Sequence, residues 1–319
     1  MRGERLARYL ARSGVASRRR AEDRFIAAGR VTLDGRTVTD PATTVRPGAE
    51  VRVDGRRVHP EEVVTLALHK PAGVLCTVRD PRGRLTVLDL VADPPARLYP
   101  VGRLDYDSEG LLLLSNDGPL AAALLHPRHA VPRRYALLVT PRPDNGQLVQ
   151  LCRGVRLSDG VGRAVATRWL PGPPRGIAQG PRGRAGGEAW VEMVLSEGRN
   201  RQARRMCAAL GLDVQRLVRV AIGPLQLGGL APGACHRLCR EEEAALRAVA
   251  RGGRPPGRGA PPPAFAVGTN PLAVAARGDG RRPVGPRATA TLSLRAAAQR
   301  QSTAQDAGGV RRSRLERGS

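Results

Sequence analysis

Aromatic residues are scarce in this sequence: they make up 3% of its 319 residues, while hydrophobic residues as a whole make up 41%. A core must therefore be built from Leu, Val and Ala. Lysine occurs once, at Lys70, so arginine supplies nearly all of the positive charge. No apolar run approaches the ~20 residues of a membrane-spanning helix, and no hydrophobic segment follows the N-terminal arginines. The sequence therefore predicts neither a membrane partner nor a secretion signal.

Cysteines are few, scattered and odd in number, five in all. This pattern argues against a disulfide framework and favours reduced thiols in a cytoplasmic protein. Cys235, His236 and Cys239 lie close together in the sequence, but no second pair of ligands has the right spacing for zinc. We therefore expect no metal site.

Acidic residues are outnumbered, with 28 Asp+Glu against 53 Lys+Arg, and the net charge is +25. A charge of this sign predicts a polyanionic partner, and the arginine guanidinium suits bidentate contacts with phosphate. A GC-rich genome also enriches arginine, so the charge by itself does not say which polyanion is bound.

Residues 99–118, YPVGRLDYDSEGLLLLSNDG, concentrate acidic side chains in this otherwise basic chain. Their acidic members are Asp105, Asp107, Glu109 and Asp117. The loop over 102–110 leads into four leucines, a short apolar run that predicts a strand buried on both faces. A carboxylate at the mouth of such a strand is held still yet stays reachable, as a catalytic group must be. Because charges generally stay exposed, we expect the last three acids to be solvated turn residues.

The first 59 residues predict a small basic unit, with fourteen arginines against seven acids. Two short helices are expected over 4–12 and 17–28, with Ser17 as the N-cap of the second, followed by short strands joined by tight turns. The first turn of the second helix carries Arg18, Arg19 and Arg20, where the helix dipole favours anions. This placement favours a bound phosphate over an exposed charged turn.

The segment RLARYLARSGVASRRRAEDRFIAAGRVTLDGRTV resembles the small RNA-binding domain first described in ribosomal small-subunit protein four. That family combines a helix pair with a short sheet and binds structured RNA. The resemblance therefore implies RNA as the polyanion.

Alternating strands and short helices predict a larger α+β domain over 64–250 with a mixed sheet, after a linker at 60–63. The expected strands include 64–68, 111–114, 135–140, 188–195 and 214–220. Residues 251–319 hold thirteen arginines and three acids among Gly, Pro, Ala and Ser, a composition typical of a disordered basic tail.

Four motifs of the larger domain occur in a familiar order: HKPAGVLCTVRD, the stretch over 99–118, RRYALLV, and EGRNRQARRMCAALG with RLVRVAIGPL. In these motifs the domain resembles the pseudouridine synthases of the RsuA/RluB type. The resemblance implies conversion of uridine in RNA to its carbon-linked isomer, without metal, nucleotide or organic cofactor. The chain likewise contains no P-loop or dinucleotide fingerprint.

The resemblance also implies roles for particular residues. Asp105 takes the place of the family's catalytic aspartate, Tyr135 that of the active-site tyrosine, and Arg204 that of the arginine that pairs with the aspartate. We further expect RNA contacts from four nearby arginines, one beside the pocket on the aspartate loop and three on the same basic helix as Arg204. These are Arg103, Arg199, Arg201 and Arg205.

The predicted function is site-specific pseudouridine formation in ribosomal RNA, with the large-subunit 23S RNA favoured by the overall likeness to the RluB branch. The partner is ribosomal RNA or a pre-ribosomal particle, and the chain is expected to act as a monomer without a protein partner. Alternatives are the small-subunit 16S enzyme, an RNA-binding assembly factor without turnover, and a DNA-binding protein that uses the tail.

Overall fold

The computed structural model describes residues 3–177 and 187–252, together with the backbone of Phe265–Ala266. Nearly all of the predicted disordered tail, residues 251–319, therefore lies outside the described residues. Within the described ranges, every helix is too short or too polar to span a bilayer.

The N-terminal unit contains the predicted pair of short helices and short antiparallel strands. The helices are α1 (Leu6–Arg12) and α2 (Arg18–Ala21), and the strands are β1 (Glu4–Arg5), β2 (Val31–Leu33), β3 (Arg36–Val38), β4 (Thr44–Val45), β5 (Val51–Val53) and β6 (Arg56–Arg57). Strands β3, β2, β5 and β6 form one sheet in that order, and β1 pairs with β4.

Ser17 caps α2, as predicted, because its hydroxyl accepts a hydrogen bond from the Arg20 amide at 3.4 Å. The single helix predicted over 17–28 is wrong in detail, since a π-helical turn, Glu22–Ile26, follows α2. Gly29 then ends the segment at a φ of +67°, a left-handed conformation that glycine adopts without strain. The helices and sheet enclose a small apolar core that includes Leu6, Leu10, Ile26, Val31 and Val51.

The larger unit is built on one extensive sheet with helices on its faces. Its strands are β7 (Thr65–Lys70), β8 (Tyr99–Val101), β9 (Glu109–Ser115), β10 (Arg133–Thr140), β11 (Val155–Leu157), β12 (Gly160–Gly162), β13 (Ala166–Leu170), β14 (Ala189–Leu195), β15 (Asp213–Ile222), β16 (Leu225–Gln226), β17 (Cys235–Arg237) and β18 (Phe265–Ala266). Its helices are α3 (Gly118–Leu125), α4 (Asn145–Arg153), α5 (Gln202–Ala208) and α6 (Arg240–Ala250), with a 3-10 turn at Pro127–His129.

The main sheet has the strand order β13-β14-β10-β15-β9-β7-β17, with β8 beside β9, β16 beside β15 and β18 beside β16. Neighbouring strands along the main path run antiparallel except β9 and β15, which are parallel. The predicted α+β class with a mixed sheet is therefore confirmed. Strands β11 and β12 form a separate hairpin.

The four leucines of β9 are completely buried, as their apolar run predicted. Leu111 and Leu113 pack with helices α3 and α6 on one face of the sheet. Leu112 and Leu114 pack on the other face, against β7 and the segment over 74–91. Strand β9 is therefore fixed from both sides, and so is the end of the loop that precedes it.

The segments over 74–78 and 85–91, whose apolar residues favour a strand or a short helix, form neither. They are joined by a single bridge between Leu75 and Thr86. Asp89 then holds a turn, because its Oδ2 accepts hydrogen bonds of 2.8 Å from both the amide and the hydroxyl of Thr86. The apolar residues of these segments, such as Val74 and Val87, are buried, although the backbone there is neither a helix nor a strand.

Glu109 and Asp117 are not the solvated turn residues that their charge predicted. Asp117 is buried, caps α3 through the Leu120 amide at 2.9 Å, and accepts a 2.6 Å hydrogen bond from Arg247. Glu109 forms a bidentate ion pair with Arg216, with contacts of 3.0 and 2.9 Å. The general rule fails because each carboxylate has an arginine partner, and paired charges can be buried.

Candidate active site

The loop between β8 and β9 places Asp105 at a cavity of about 430 Å³. The Asp105 side chain is 31% exposed, so it is partly enclosed yet open to a ligand. Tyr135 and Arg204 line the same cavity. The structure therefore brings together the three residues that were predicted to be catalytic.

Lys70 anchors the Asp105 loop from below, a role that the sequence analysis missed. This lysine is completely buried, and its ammonium donates to the carbonyl oxygens of Ser108 at 2.7 Å, Pro71 at 3.0 Å and Tyr106 at 3.4 Å. Burial lowers the pKa of Lys70. An ammonium with three donors suits three converging carbonyls, which explains why arginine does not stand here. Its being the single lysine of the chain was the available signal.

Arg201 holds the same loop from above. Its guanidinium binds the Asp107 carboxylate with two hydrogen bonds of 3.0 and 2.9 Å, and it lies 3.6 Å from Asp105. The Arg201 hydrogen bond lowers the pKa of Asp107. The backbone of Arg201 is left-handed, with φ of 46°, and it forms the N-terminal boundary of α5.

The expected pairing of Arg204 with Asp105 is not what the structure shows. Within the described part of the chain, the ion-pair partner of Asp105 is Arg201, and Arg204 instead lies 3.3 Å from Asp107. Arg204 also donates to the carbonyls of Val214 at 2.6 Å and Asp107 at 3.2 Å. Through these contacts the Arg204 guanidinium links strand β15 to the loop that carries Asp105, so in this geometry Arg204 stabilises the loop.

Tyr135 is half-buried on β10, directly opposite Arg219 of β15. Arg219 is buried, with 3% of its surface exposed, and its Nε donates to the Leu111 carbonyl at 2.7 Å. Side chains directly opposite in an antiparallel pair share a face of the sheet. Arg219 therefore lies beside Tyr135 in the cavity wall, a second site residue that the sequence analysis missed. Arg219 lies in the largely apolar motif RLVRVAIGPL, so nothing in the sequence indicated that it belongs to the site.

The arginines predicted to contact RNA fall into two groups. Arg199, Arg201 and Arg205 pair with protein carboxylates, and the first two precede α5 rather than lying on it. In the second group, Arg103 and Arg18–Arg20 are exposed, with Arg103 at the cavity. The second group therefore presents cationic groups to solvent, while the first is already bound within the protein.

His236, which lies close to Cys235 and Cys239 in the sequence, contacts the Glu242 carboxylate at 3.2 Å. Among the described residues, no group of three or more His, Cys, Asp or Glu side chains is positioned to hold a metal ion.

Comparison with known protein families gives two matches along the chain. Residues 64–209 match the RNA pseudouridylate synthase family, and residues 4–51 match the S4 domain. The first range contains Asp105, Tyr135 and Arg204, and the second contains the basic helix pair.

Several similar proteins match most of the chain. The ribosomal large subunit pseudouridine synthase B of Bacillus subtilis is 38% identical over 79% of this chain and 98% of its own length. The protein of the same name from Salmonella typhi is 41% identical over 70% of this chain and 75% of its length. A solved structure described as a pseudouridylate synthase shares the fold, with a TM-score of 0.51 at 24% identity, covering 76% of this chain and 99% of that one.

An RNA-binding unit joined to a larger catalytic fold defines an RNA-modifying enzyme. Within that class, the chain belongs to the RNA pseudouridylate synthase family. Its activity is the isomerisation of uridine to pseudouridine in RNA.

Proposed function

We propose that the enzyme modifies a uridine of the large-subunit 23S ribosomal RNA, with Asp105 as its catalytic carboxylate. Two relatives named for the large ribosomal subunit support the substrate, since their similarity covers 79% and 70% of the chain. The observation that carries the catalytic assignment is a partly exposed Asp105 in a cavity, on a loop anchored by a buried Lys70.

The reaction breaks the bond between C1′ of the ribose and N1 of uracil, and after the base turns, C5 bonds to C1′. C5 loses a proton and N1 gains one, so the isomerisation is balanced without a co-reactant. Asp105 serves this reaction either by stabilising or trapping the electron-poor C1′, or by adding to the base ring. Both routes need a carboxylate that can reach the target nucleotide, and the position of Asp105 in the cavity lining supports this role.

Tyr135, Arg201 and Arg204 are proposed to support the carboxylate. The Tyr135 ring can stack on the extruded base, and its hydroxyl can assist proton transfer at C5. Arg201, 3.6 Å from the Asp105 carboxylate, limits the directions that the carboxylate can take. Arg204 braces the loop through its backbone contacts.

Exposed arginines are proposed to bind the RNA backbone. Arg103 lies at the cavity, and Arg18–Arg20 lie at the start of α2 in the N-terminal unit. A target base inside a duplex must be extruded at a cost of roughly a few kcal/mol, which phosphate contacts on both units can offset. Arg199, Arg201 and Arg205 can join this surface by exchanging their carboxylate partners for phosphate.

We also propose a domain division at residues 1–59 and 64–250, and action as a monomer in the cytoplasm without a protein partner. Separate apolar cores on either side of the linker support the division. All five cysteines are free thiols, in keeping with a reducing compartment.

The test compares pseudouridines in ribosomal RNA from cells with the natural chain, without it, and with Asp105→Asn. We expect one 23S position to lose its modification in the last two. Asp93→Asn is the matched control, because Asp93 is exposed and asparagine tolerates its left-handed backbone at φ 44°.

Four outcomes would contradict parts of the proposal. Loss of a 16S modification would identify a small-subunit enzyme. An unchanged profile with retained RNA binding would identify an assembly factor, and normal turnover by Asp105→Asn would exclude Asp105 as the catalytic carboxylate. Binding lost completely on removal of residues 251–319 would make the tail the main nucleic-acid site.

A further inference from the structure

Three residues that line the cavity beside Asp105 each have a buried polar atom without a partner among the described residues. Arg219 Nη2, Ser108 Oγ and Arg204 Nε are buried and have no hydrogen-bond partner among the described residues. All three residues line this cavity. Buried polar atoms are nearly always paired in folded proteins, so such a cluster indicates groups that are completed by a ligand.

Arg219 is the member of this cluster with the most constrained geometry. Its position opposite Tyr135 sets which face of the sheet it occupies, and its 2.7 Å bond to the Leu111 carbonyl fixes the guanidinium. Only 3% of Arg219 is exposed. The unpaired Nη2 is therefore a single, fixed donor of a residue that lines the cavity.

The surroundings favour a base over a phosphate as the partner of this donor. Leu104, Val131 and Ile222 contribute apolar surface to the same cavity, and Arg103, which also lines it, is exposed to solvent whereas Arg219 is buried. A phosphate is usually bound by several donors and remains near solvent. A planar base in an apolar pocket is oriented by a few well-placed polar groups.

We propose that Arg219 is the residue that recognises the extruded uracil, donating from Nη2 to one of its two ring carbonyl oxygens. Ser108, whose hydroxyl can donate or accept, supplies a second polar contact to the base edge. This inference rests on the proposed function, because it requires an extruded uridine in the cavity. Arg219 keeps the uracil in a fixed orientation while the glycosidic bond to N1 is replaced by the bond to C5.

The test combines a side-chain change with single-atom changes in the substrate. Synthetic 23S RNA fragments carry uridine, 2-thiouridine or 4-thiouridine at the modified position, and product formation is followed under single-turnover conditions. The proteins are the natural chain, Arg219→Lys, and Arg168→Lys as control. Arg168 lies on edge strand β13 with a side chain that is 65% exposed and paired with Glu192.

We expect Arg219→Lys to react about 10- to 100-fold more slowly with uridine, as fits loss of a hydrogen bond from a charged donor. One thio substitution should slow the natural enzyme similarly, yet slow Arg219→Lys by less than about 2-fold, because coupled changes are not additive. A merely structural role predicts the same fractional loss on every RNA. Arg168→Lys should match the natural chain throughout.

Several results would overturn the inference. The natural enzyme reacting equally fast with all three RNAs would exclude recognition of either carbonyl, whether or not Arg219→Lys folds. If the effects of Arg219→Lys and of each thio substitution on the rate simply add, Arg219 does not contact either carbonyl oxygen. The natural enzyme forming no pseudouridine in the uridine fragment would refute the proposed function and, with it, this inference.

Discussion

The buried lysine below the Asp105 loop gives the sharpest test of how this site is held together. Lys70→Met keeps a similar chain length and removes the ammonium that donates to the carbonyls of Ser108, Pro71 and Tyr106. Methionine is flexible enough to fill the space, so steric disturbance is small. The change therefore isolates the loss of the three donated hydrogen bonds.

The expected loss of stability follows from these contacts. The bonds of 2.7 and 3.0 Å have good geometry, and the one of 3.4 Å is weak. Hydrogen bonds to a charged donor contribute about 1.5–3 kcal/mol each, and relief from burying the ammonium offsets part of that, so we expect a net loss of about 2–4 kcal/mol. The released loop also carries Asp105, and a shift of about 1 Å at a reacting group costs about 100-fold in rate.

Two measurements test Lys70→Met: chemical denaturation for the free energy of unfolding, and single-turnover pseudouridine formation at saturating RNA. Arg168→Met is the control, since loss of its exposed ion pair with Glu192 should cost at most about 1 kcal/mol and leave the rate unchanged. A Lys70→Met protein with natural stability and rate would refute the view that Lys70 anchors the loop.

The same variant carries a pH signature. Burial lowers the pKa of Lys70 below its usual value of 10.5. At a pH between the lowered pKa of Lys70 in the folded protein and its pKa of 10.5 in the unfolded chain, the unfolded chain binds more protons than the folded one. The contribution of Lys70 to stability therefore rises with pH across this range, and it falls as pH drops through the folded-state pKa. Denaturation at about pH 7 and about pH 10 should therefore show a wider gap between the natural chain and Lys70→Met at the higher pH.

Two further predictions concern the neighbours of this loop. A Cβ at Gly110 would lie 2.3 Å from the Arg219 carbonyl oxygen at a φ of +107°, so Gly110→Ala should cost about 3 kcal/mol or more in unfolding experiments. Gly172→Ala, with no atom within 4 Å, is its control, and equal stability of the two would contradict the geometry. Arg201→Gln removes the ion pair to Asp105 and should lower the single-turnover rate about 10-fold, whereas a normal rate would show that the pair has no role in turnover.

Local patterns in the sequence predicted a structural feature correctly where that feature depends on a single helix or strand. The leucine run over 111–114 predicted a strand buried on both faces, and Ser17 predicted a helix cap, because each depends on residues close in the chain. Glu109 and Asp117 were predicted wrongly because their arginine partners lie 107 and 130 positions away. A rule based on single residues contains no information about such partners.

The arrangement of arginines around Asp105 could not be predicted from the sequence for a different reason. Arg201 lies 3.6 Å from Asp105 and has a left-handed backbone at φ 46°, a conformation that is uncommon outside glycine and that nothing in RNRQARR indicates. Arg219 likewise reaches the cavity through strand register with Tyr135, which depends on pairing between distant strands. The resemblance to a known family supplied the residue types but not their contacts in this chain.

The loop that carries Asp105 is restrained by two layers that respond differently to the solution. Below it, Lys70 is buried and binds backbone carbonyls, so salt does not screen those contacts. Above it, Arg201 and Asp107 each have side chains that are 44% exposed, so their ion pair weakens as ionic strength rises and can be replaced by RNA phosphate. RNA binding can therefore rearrange the upper layer while the lower layer keeps Asp105 at the cavity.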